Sequence, residues 1–196
     1  FYGDSLDNLR GSFYLQADQW QWLNDLRLFL PQLNQDADGS ASFELWADFS
    51  ASQLDSMILS LGENQLSWPA GNDTKLLSLN QGVMQWLPYQ QGWLFEAREL
   101  QVFTNQQAWP DFEIYLNQQE GNLAGQISHL QLTDLLGLRG LLHSLKPETD
   151  QLLAQLDPNA LLSELKFKQV EDSWHYQGTV SDYRQNRSEA IPGVSH

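Results

Sequence analysis

The chain has 196 residues, 41% hydrophobic, 12% aromatic and 18% charged. Aromatic and branched residues run from end to end, which excludes a disordered tail; a globule of this length buries roughly 70% of its unfolded surface. With 10 Lys and Arg against 25 Asp and Glu the formal charge is −15, a surface that repels phosphate and argues against a nucleic-acid partner.

Cysteine is absent, which removes disulfides, thiolate metal sites and cysteine nucleophiles. The richest apolar stretch, Leu135 to Leu145, is interrupted by Arg139 and His143. It falls well short of the ~20 apolar residues of a membrane-spanning helix. No basic start followed by a short apolar run follows Phe1, and Ile191-Pro192-Gly193-Val194-Ser195-His196 does not read as an evolved terminus. The expectation is a segment of a longer chain.

Alternation of apolar and polar residues dominates from the start. Phe13-Tyr14-Leu15-Gln16-Ala17 places Phe13, Leu15 and Ala17 on one face of a strand over 12–22. The alternation slips between Ala17 and Trp22, which predicts a bulge. Leu23, Leu26, Phe29, Leu30 and Leu33 then recur at helical spacing. A strand over 41–50 follows, with Phe43, Leu45, Ala47 and Phe49 on one face, and further strands are expected over 55–68, 75–87 and 93–104. Phe112, Ile114 and Leu116 share a face of a strand over 111–119, before another over 122–132.

Leu135, Leu138, Leu141, Leu142 and Leu145 predict a second helix with Thr133 as N-cap. Pro147 opens a third, with Leu152, Leu153 and Leu156 on one side, before strands over 163–170 and 174–182. Turns are expected at Asp38-Gly39, Gly62-Glu63-Asn64, Gly71-Asn72-Asp73, Gln91-Gly92, Glu120-Gly121-Asn122 and Glu171-Asp172-Ser173. The strand–helix run from Gln16 to Leu30 is echoed from Gln126 to Leu142, giving approximate repeat units 11–120 and 121–196, the second incomplete.

Catalytic constellations are missing. Asn34-Gln35-Asp36-Ala37-Asp38-Gly39 copies the first half of a calcium loop, but position twelve, which needs a bidentate carboxylate, is Leu45. The segment reads as a strand-entry turn. His129, His143, His175 and His196 form no close-spaced ligand pair, and His129 and His175 fall on wet strand faces. No phosphate loop or nucleophile elbow is present. The expectation is no catalytic residue, no metal and no cofactor. Trp46 shares the polar side of its strand with Glu44 and Asp48, where it and Tyr115 could stack on sugar rings.

One-sided strands outnumber the helices that could cover them, and so much bare apolar surface would aggregate. The sheet must fold over on itself, pair with a second sheet, or hold an apolar ligand. The expected class is mainly β (α+β): a long, strongly curved antiparallel sheet forming a taco-like groove with short covering helices. The faces carrying Phe13 and Leu15; Phe43, Leu45 and Phe49; Met57, Leu59 and Leu61; Phe112, Ile114 and Leu116; and Leu165 and Phe167 are the candidate groove lining.

Several stretches together resemble an internal segment of the YhdP branch of the AsmA-like proteins of Gram-negative envelopes. They are Gly11-Ser12-Phe13-Tyr14-Leu15-Gln16-Ala17-Asp18, Glu63-Asn64-Gln65-Leu66-Ser67-Trp68, Leu77-Ser78-Leu79-Asn80-Gln81, Gly92-Trp93-Leu94-Phe95, Ala108-Trp109-Pro110 and His129-Leu130-Gln131-Leu132. The resemblance implies a section of a bridge-like lipid transfer protein, anchored in the inner membrane by a helix outside this chain and extending through the periplasm. Phospholipid acyl chains would move in an apolar groove toward the outer membrane and support its permeability barrier. Membrane contact would be made by parts of the chain not present here, with envelope proteins as further partners. The residues alone leave two alternatives open: a carbohydrate-binding β-sandwich, or a structural spacer whose sheet is filled by its own side chains.

Overall fold

The computed structural model describes residues 10–21, 23, 35–141, 155–170, 173–185 and 194–195. Alternation of side chains across a pleat needs extended backbone, and the alternating runs form β1 (Gly11–Trp20), β2 (Asp38–Ser50), β3 (Gln53–Leu61), β4 (Asn64–Ala70), β5 (Asp73–Tyr89) and β6 (Gly92–Thr104). Next come β7 (Gln107–Ala108), β8 (Ile114–Gln119), β9 (Asn122–Gln131), the short helix α1 (Leu132–Gly137), β10 (Asn159–Val170), β11 (Ser173–Gln185) and β12 (Val194–Ser195).

These strands form one 12-stranded sheet in the order β1-β2-β3-β5-β6-β8-β9-β10-β11-β12, with β4 pairing β2 and β5, and β7 pairing β6. Neighbours pair antiparallel, as the one-sided alternation predicts. All of the described strands belong to this single sheet, and among the described residues no second sheet packs on it.

Three expectations are corrected in detail. The strand over 55–68 breaks at Gly62-Glu63, so that β3 pairs with the later half of β5 and β4 with its earlier half. The strand over 111–119 starts only at Ile114, leaving Phe112 ahead of it. The second helix ends at Gly137 and is not capped by Thr133. β9 runs directly into it, so Gln131 is the N-cap, without a side-chain hydrogen bond. The chain then tightens into successive three-residue turns, with Leu138 N–H donating to Leu135 O, Arg139 to Leu136 and Leu141 to Leu138, each at 3.1 Å. Leu142 and Leu145 lie outside the described residues. So do the first helix apart from Leu23, and the third apart from Gln155 and Leu156.

A crease crosses the sheet. Along β1 the apolar positions step by two through Phe13, Leu15 and Ala17, then by three to Trp20. The same three-residue step separates Leu79 from Gly82, Ala97 from Leu100, Ile127 from Leu130, Leu162 from Leu165 and Val180 from Tyr183. Four of these steps contain a non-glycine residue in the left-handed region: Gln19 (φ 50), Glu99 (φ 56), Glu164 (φ 51) and Asp182 (φ 53). Register shifts coincide with the steps in β1, β5 and β10.

The steps of adjacent strands meet. His129 pairs with Ser163 across β9 and β10, inside both steps, and Gln81 of the β5 step pairs with Gln101, the residue just after the β6 step. An extra residue bends a strand and switches which parity faces the core. The apolar side therefore stays apolar through the bend, although the sequence alternation changes phase.

Beyond the crease the apolar side is covered. Trp68 is 1% exposed and packs with Leu23, Ala37, Leu66 and Leu141, its indole Nε1–H donating to the Arg139 carbonyl at 3.0 Å. A second cluster of Ala97, Leu100, Val102, Phe112 and Leu130 straddles the crease: Leu135 of α1 packs on it, and so do Leu61, Met84, Phe95, Ile114, Ile127 and Leu165 of the near side.

Candidate functional site

On the near side of the crease, cross-strand register builds the site. Residues directly opposite in an antiparallel pair share a face. One row runs Phe13, Ala47, Met57, Trp86, Phe95, Leu116, Gly125, Phe167, Tyr176, from β1 to β11. A second runs Leu15, Leu45, Leu59, Met84, Ala97, Ile114, Ile127, Leu165. A third joins Ala17, Phe43, Leu61 and Gly82, and Phe49 pairs with Leu54 toward the strand ends.

Neither long row contains a charge. At ~4.8 Å between strands, nine strands extend about 38 Å; from Phe43 to Phe49 the face is about 20 Å deep. Phe13 and Leu15 are each 41% exposed, and Phe43, Leu45, Phe49, Met57, Leu59, Leu61, Ile114, Leu116, Leu165 and Phe167 are half-buried. Twelve of the thirteen candidate lining residues thus lie on one face. Phe112 is outside these rows, 8% exposed beside Trp109 with ring centroids 5.9 Å apart, in the cluster against which Leu61, Ile114 and Leu165 pack.

Sequence reasoning missed Met84, Trp86, Phe95 and Ile127, which the register places in the same rows. The signal for Phe95 was present as alternation in Trp93-Leu94-Phe95-Glu96-Ala97, but Leu94, apolar on the opposite parity, obscured it. Ala47, Ala97 and Gly125 carry no length to mark them, yet they complete the rows.

The opposite face is polar in the main. Ser12 Oγ donates to Asp48 Oδ1 at 2.6 Å and Ser56 Oγ to Asp48 Oδ2 at 3.1 Å. Trp46 lies on this side, opposite Tyr14 and Ile58, with Tyr14 and Trp46 ring centroids 5.4 Å apart. His129 and His175 are exposed. Clefts along the crease include one of about 380 Å³ lined by Asp18, Gln19, Ser42 and Glu63 among others, and one of about 520 Å³ lined by Glu99, Asp111, Glu113 and His129 among others.

Among the described residues no three His, Asp or Glu side chains come together as a metal site. Asp38 of the calcium-like segment starts β2 and accepts a hydrogen bond from Gly39 N–H at 2.9 Å; Asn34 lies outside the described residues. Asp134, in the first turn of α1, is 5% exposed, and its burial raises the carboxyl above its ordinary value.

The family model described as YhdP protein matches residues 2–196. The chain belongs to the YhdP family. The intermembrane phospholipid transporter YhdP of Escherichia coli (strain K12) is 23% identical over 205 residues, an alignment that takes in 95% of this chain and 16% of that protein. The chain thus spans about one sixth of this YhdP relative. No solved structure matches the chain. Among the described residues no helix is long and apolar enough to cross a membrane.

Proposed function

We propose that the chain is a section of a periplasmic, inner-membrane-anchored protein that moves phospholipid toward the outer membrane. Its apolar rows would carry the acyl chains, and the whole protein would support the outer-membrane permeability barrier. It performs no catalysis. The carrying observation is the uncharged, half-open face nine strands wide. Family membership and the transport named for the E. coli relative support the reading.

Each methylene leaving hydrocarbon for water costs about 0.8 kcal/mol, so a tail must travel on apolar surface without a break. One leaflet's share of a bilayer core, about 15 Å, fits within either dimension of the face. Phe13, Leu15, Phe43, Leu45, Phe49, Met57, Leu59, Leu61, Ile114, Leu116, Leu165 and Phe167 line it in this proposal. Units 11–120 and 121–196 contribute to it in succession.

Phospholipid should remain with the natively purified protein in mass spectrometry, and brominated acyl chains should quench its tryptophan fluorescence. Absence of both signals would identify a spacer filled by its own side chains. Quenching of Trp46 by sugar, without acyl-chain quenching, would identify a carbohydrate site on the polar face.

A further inference from the structure

A strap crosses the far part of the apolar face. It starts where β9 ends, in α1, which packs on β9 and β10. Gly137 then lies against the end of β6, where a Cβ would stand 3.0 Å from Thr104 Cγ2. The three-residue turns that follow reach β4. There the Arg139 carbonyl accepts the Trp68 indole proton, and Leu138 and Leu141 pack with Trp68. Residues 132–141 thus bridge from β10 to β4, across the strand direction.

At the near edge of this strap the half-open surface stops. The next apolar residues past the second row, Leu100, Phe112 and Leu130, are buried, and Leu135 of the strap packs on their cluster. Leu100 also fills the space above Gly82 of β5, its Cδ2 2.7 Å from where a Cβ would stand. The segment that carries Phe112 is pinned. Trp109 N–H donates to the Val102 carbonyl at 2.9 Å, its indole to Thr104 Oγ1 at 2.8 Å, and Glu113 N–H to Ser128 Oγ at 2.9 Å.

The wall stands at a definite depth. Gln118 lies just inside the β8–β9 tip, in a row with Trp93 and Leu123. From Gln118 to Phe112 the strand direction covers about 20 Å. An extended chain gains about 1.2 Å per bond, so a tail of roughly 16 carbons fills that depth. A terminal methyl can abut the wall without burying a polar atom, which no other end of a phospholipid can do. Carbons beyond that length must stay in water or turn across the strands, onto surface that a neighbouring tail would use.

We propose that the strap and the Leu100, Phe112 and Leu130 row form a length stop, which sets the longest acyl chain that can lie along β5 to β9. The inference rests on the phospholipid reading above and adds a selection by tail length to it.

The test uses the full-length protein containing this segment and three photoreactive phospholipids, with tails of roughly 12, 16 and 22 carbons chosen to bracket the depth. Each carries a diazirine next to the terminal methyl, and cross-linked residues are mapped by mass spectrometry. The shortest probe should label the first row, at Trp86 and Leu116. The middle one should label the second row, at Met84, Ile114 and Ile127. The longest should label β5 to β9 several-fold less than the middle one. Leu135→Ala opens the stop, so the longest probe should gain several-fold and reach Leu100 or Phe112. Ile127→Phe, at a half-buried row position, should move the preferred length from the middle probe to the shortest.

Equal labelling of β5 to β9 by the middle and longest probes in the parent protein overturns the stop and leaves the phospholipid reading standing. So does an unchanged length profile in Ile127→Phe, which decides the matter even where Leu135→Ala does not fold. Failure of every probe to label any row residue removes the phospholipid reading, and the stop with it.

Discussion

The Phe167 ring lies over Gly125, its partner across β9 and β10, filling the space a side chain there would need. Leu116 bounds the same space, its Cδ2 2.6 Å from where a Cβ would stand. Gly125→Ala must therefore displace an aromatic ring from the floor of the apolar face, at a cost of about 1–3 kcal/mol. In a Phe167→Ala background the same change should cost less, with a coupling of about 1 kcal/mol or more in a double-mutant cycle. Urea unfolding midpoints of the four variants measure it, and additivity would show that the ring does not set the constraint.

The crease stores backbone strain. A non-glycine residue in the left-handed region costs roughly 1–2 kcal/mol, and glycine relieves most of that. Glu164→Gly and Glu99→Gly are each expected to raise the melting temperature, and Glu164→Val to lower it, because branching at Cβ tolerates this region least. A drop on Glu164→Gly comparable with that of Val would mean that the side chain, not the backbone, matters there.

The two sides of the crease should respond differently to charge. Leu15 is 41% exposed, so Leu15→Glu should change stability by less than about 1 kcal/mol while reducing co-purified phospholipid. Val102 is 8% exposed within the second cluster, and Val102→Asp should cost about 3 kcal/mol or more by burying an unpaired carboxylate. Thermal unfolding paired with lipid extraction separates the two. Equal destabilisation would make the near side a packed core.

Burial of Asp134 raises its carboxyl pKa above 3.8, so the fold binds this proton more readily than the unfolded chain does. Its destabilising contribution is absent below about pH 3.8 and grows as pH rises through the folded-state value. Asp134→Asn should accordingly unfold at a higher temperature than the parent protein at neutral pH, with the gap narrowing toward pH 3.8. A gap that does not vary with pH would point to a contact of the amide instead.

Alternation in Phe13 to Ala17, Phe43 to Phe49 and Ile114 to Leu116 was enough to predict antiparallel strands with one oily side, because a pleat sends neighbouring side chains to opposite faces whatever surrounds it. The turns at Gly71 and Gly121, each with positive φ, were legible for the same local reason. The slip after Ala17 was visible as a bulge. That it continues across the sheet as a crease was not, since Glu99 and Glu164 are not residues that announce a left-handed backbone.

Leucine spacing overstated the second helix, because periodicity does not reveal that Leu138 and Leu141 pack in three-residue turns against Trp68 and its neighbours. Composition and period by themselves determined strand, oily side and the absence of familiar catalytic motifs, all properties of a few consecutive residues. Which oily residues share a row was decided by cross-strand register, and Phe112 is sealed because it lies ahead of β8, in the cluster of Ala97, Leu100, Val102 and Leu130. Register joins residues far apart along the chain, and no local pattern records it.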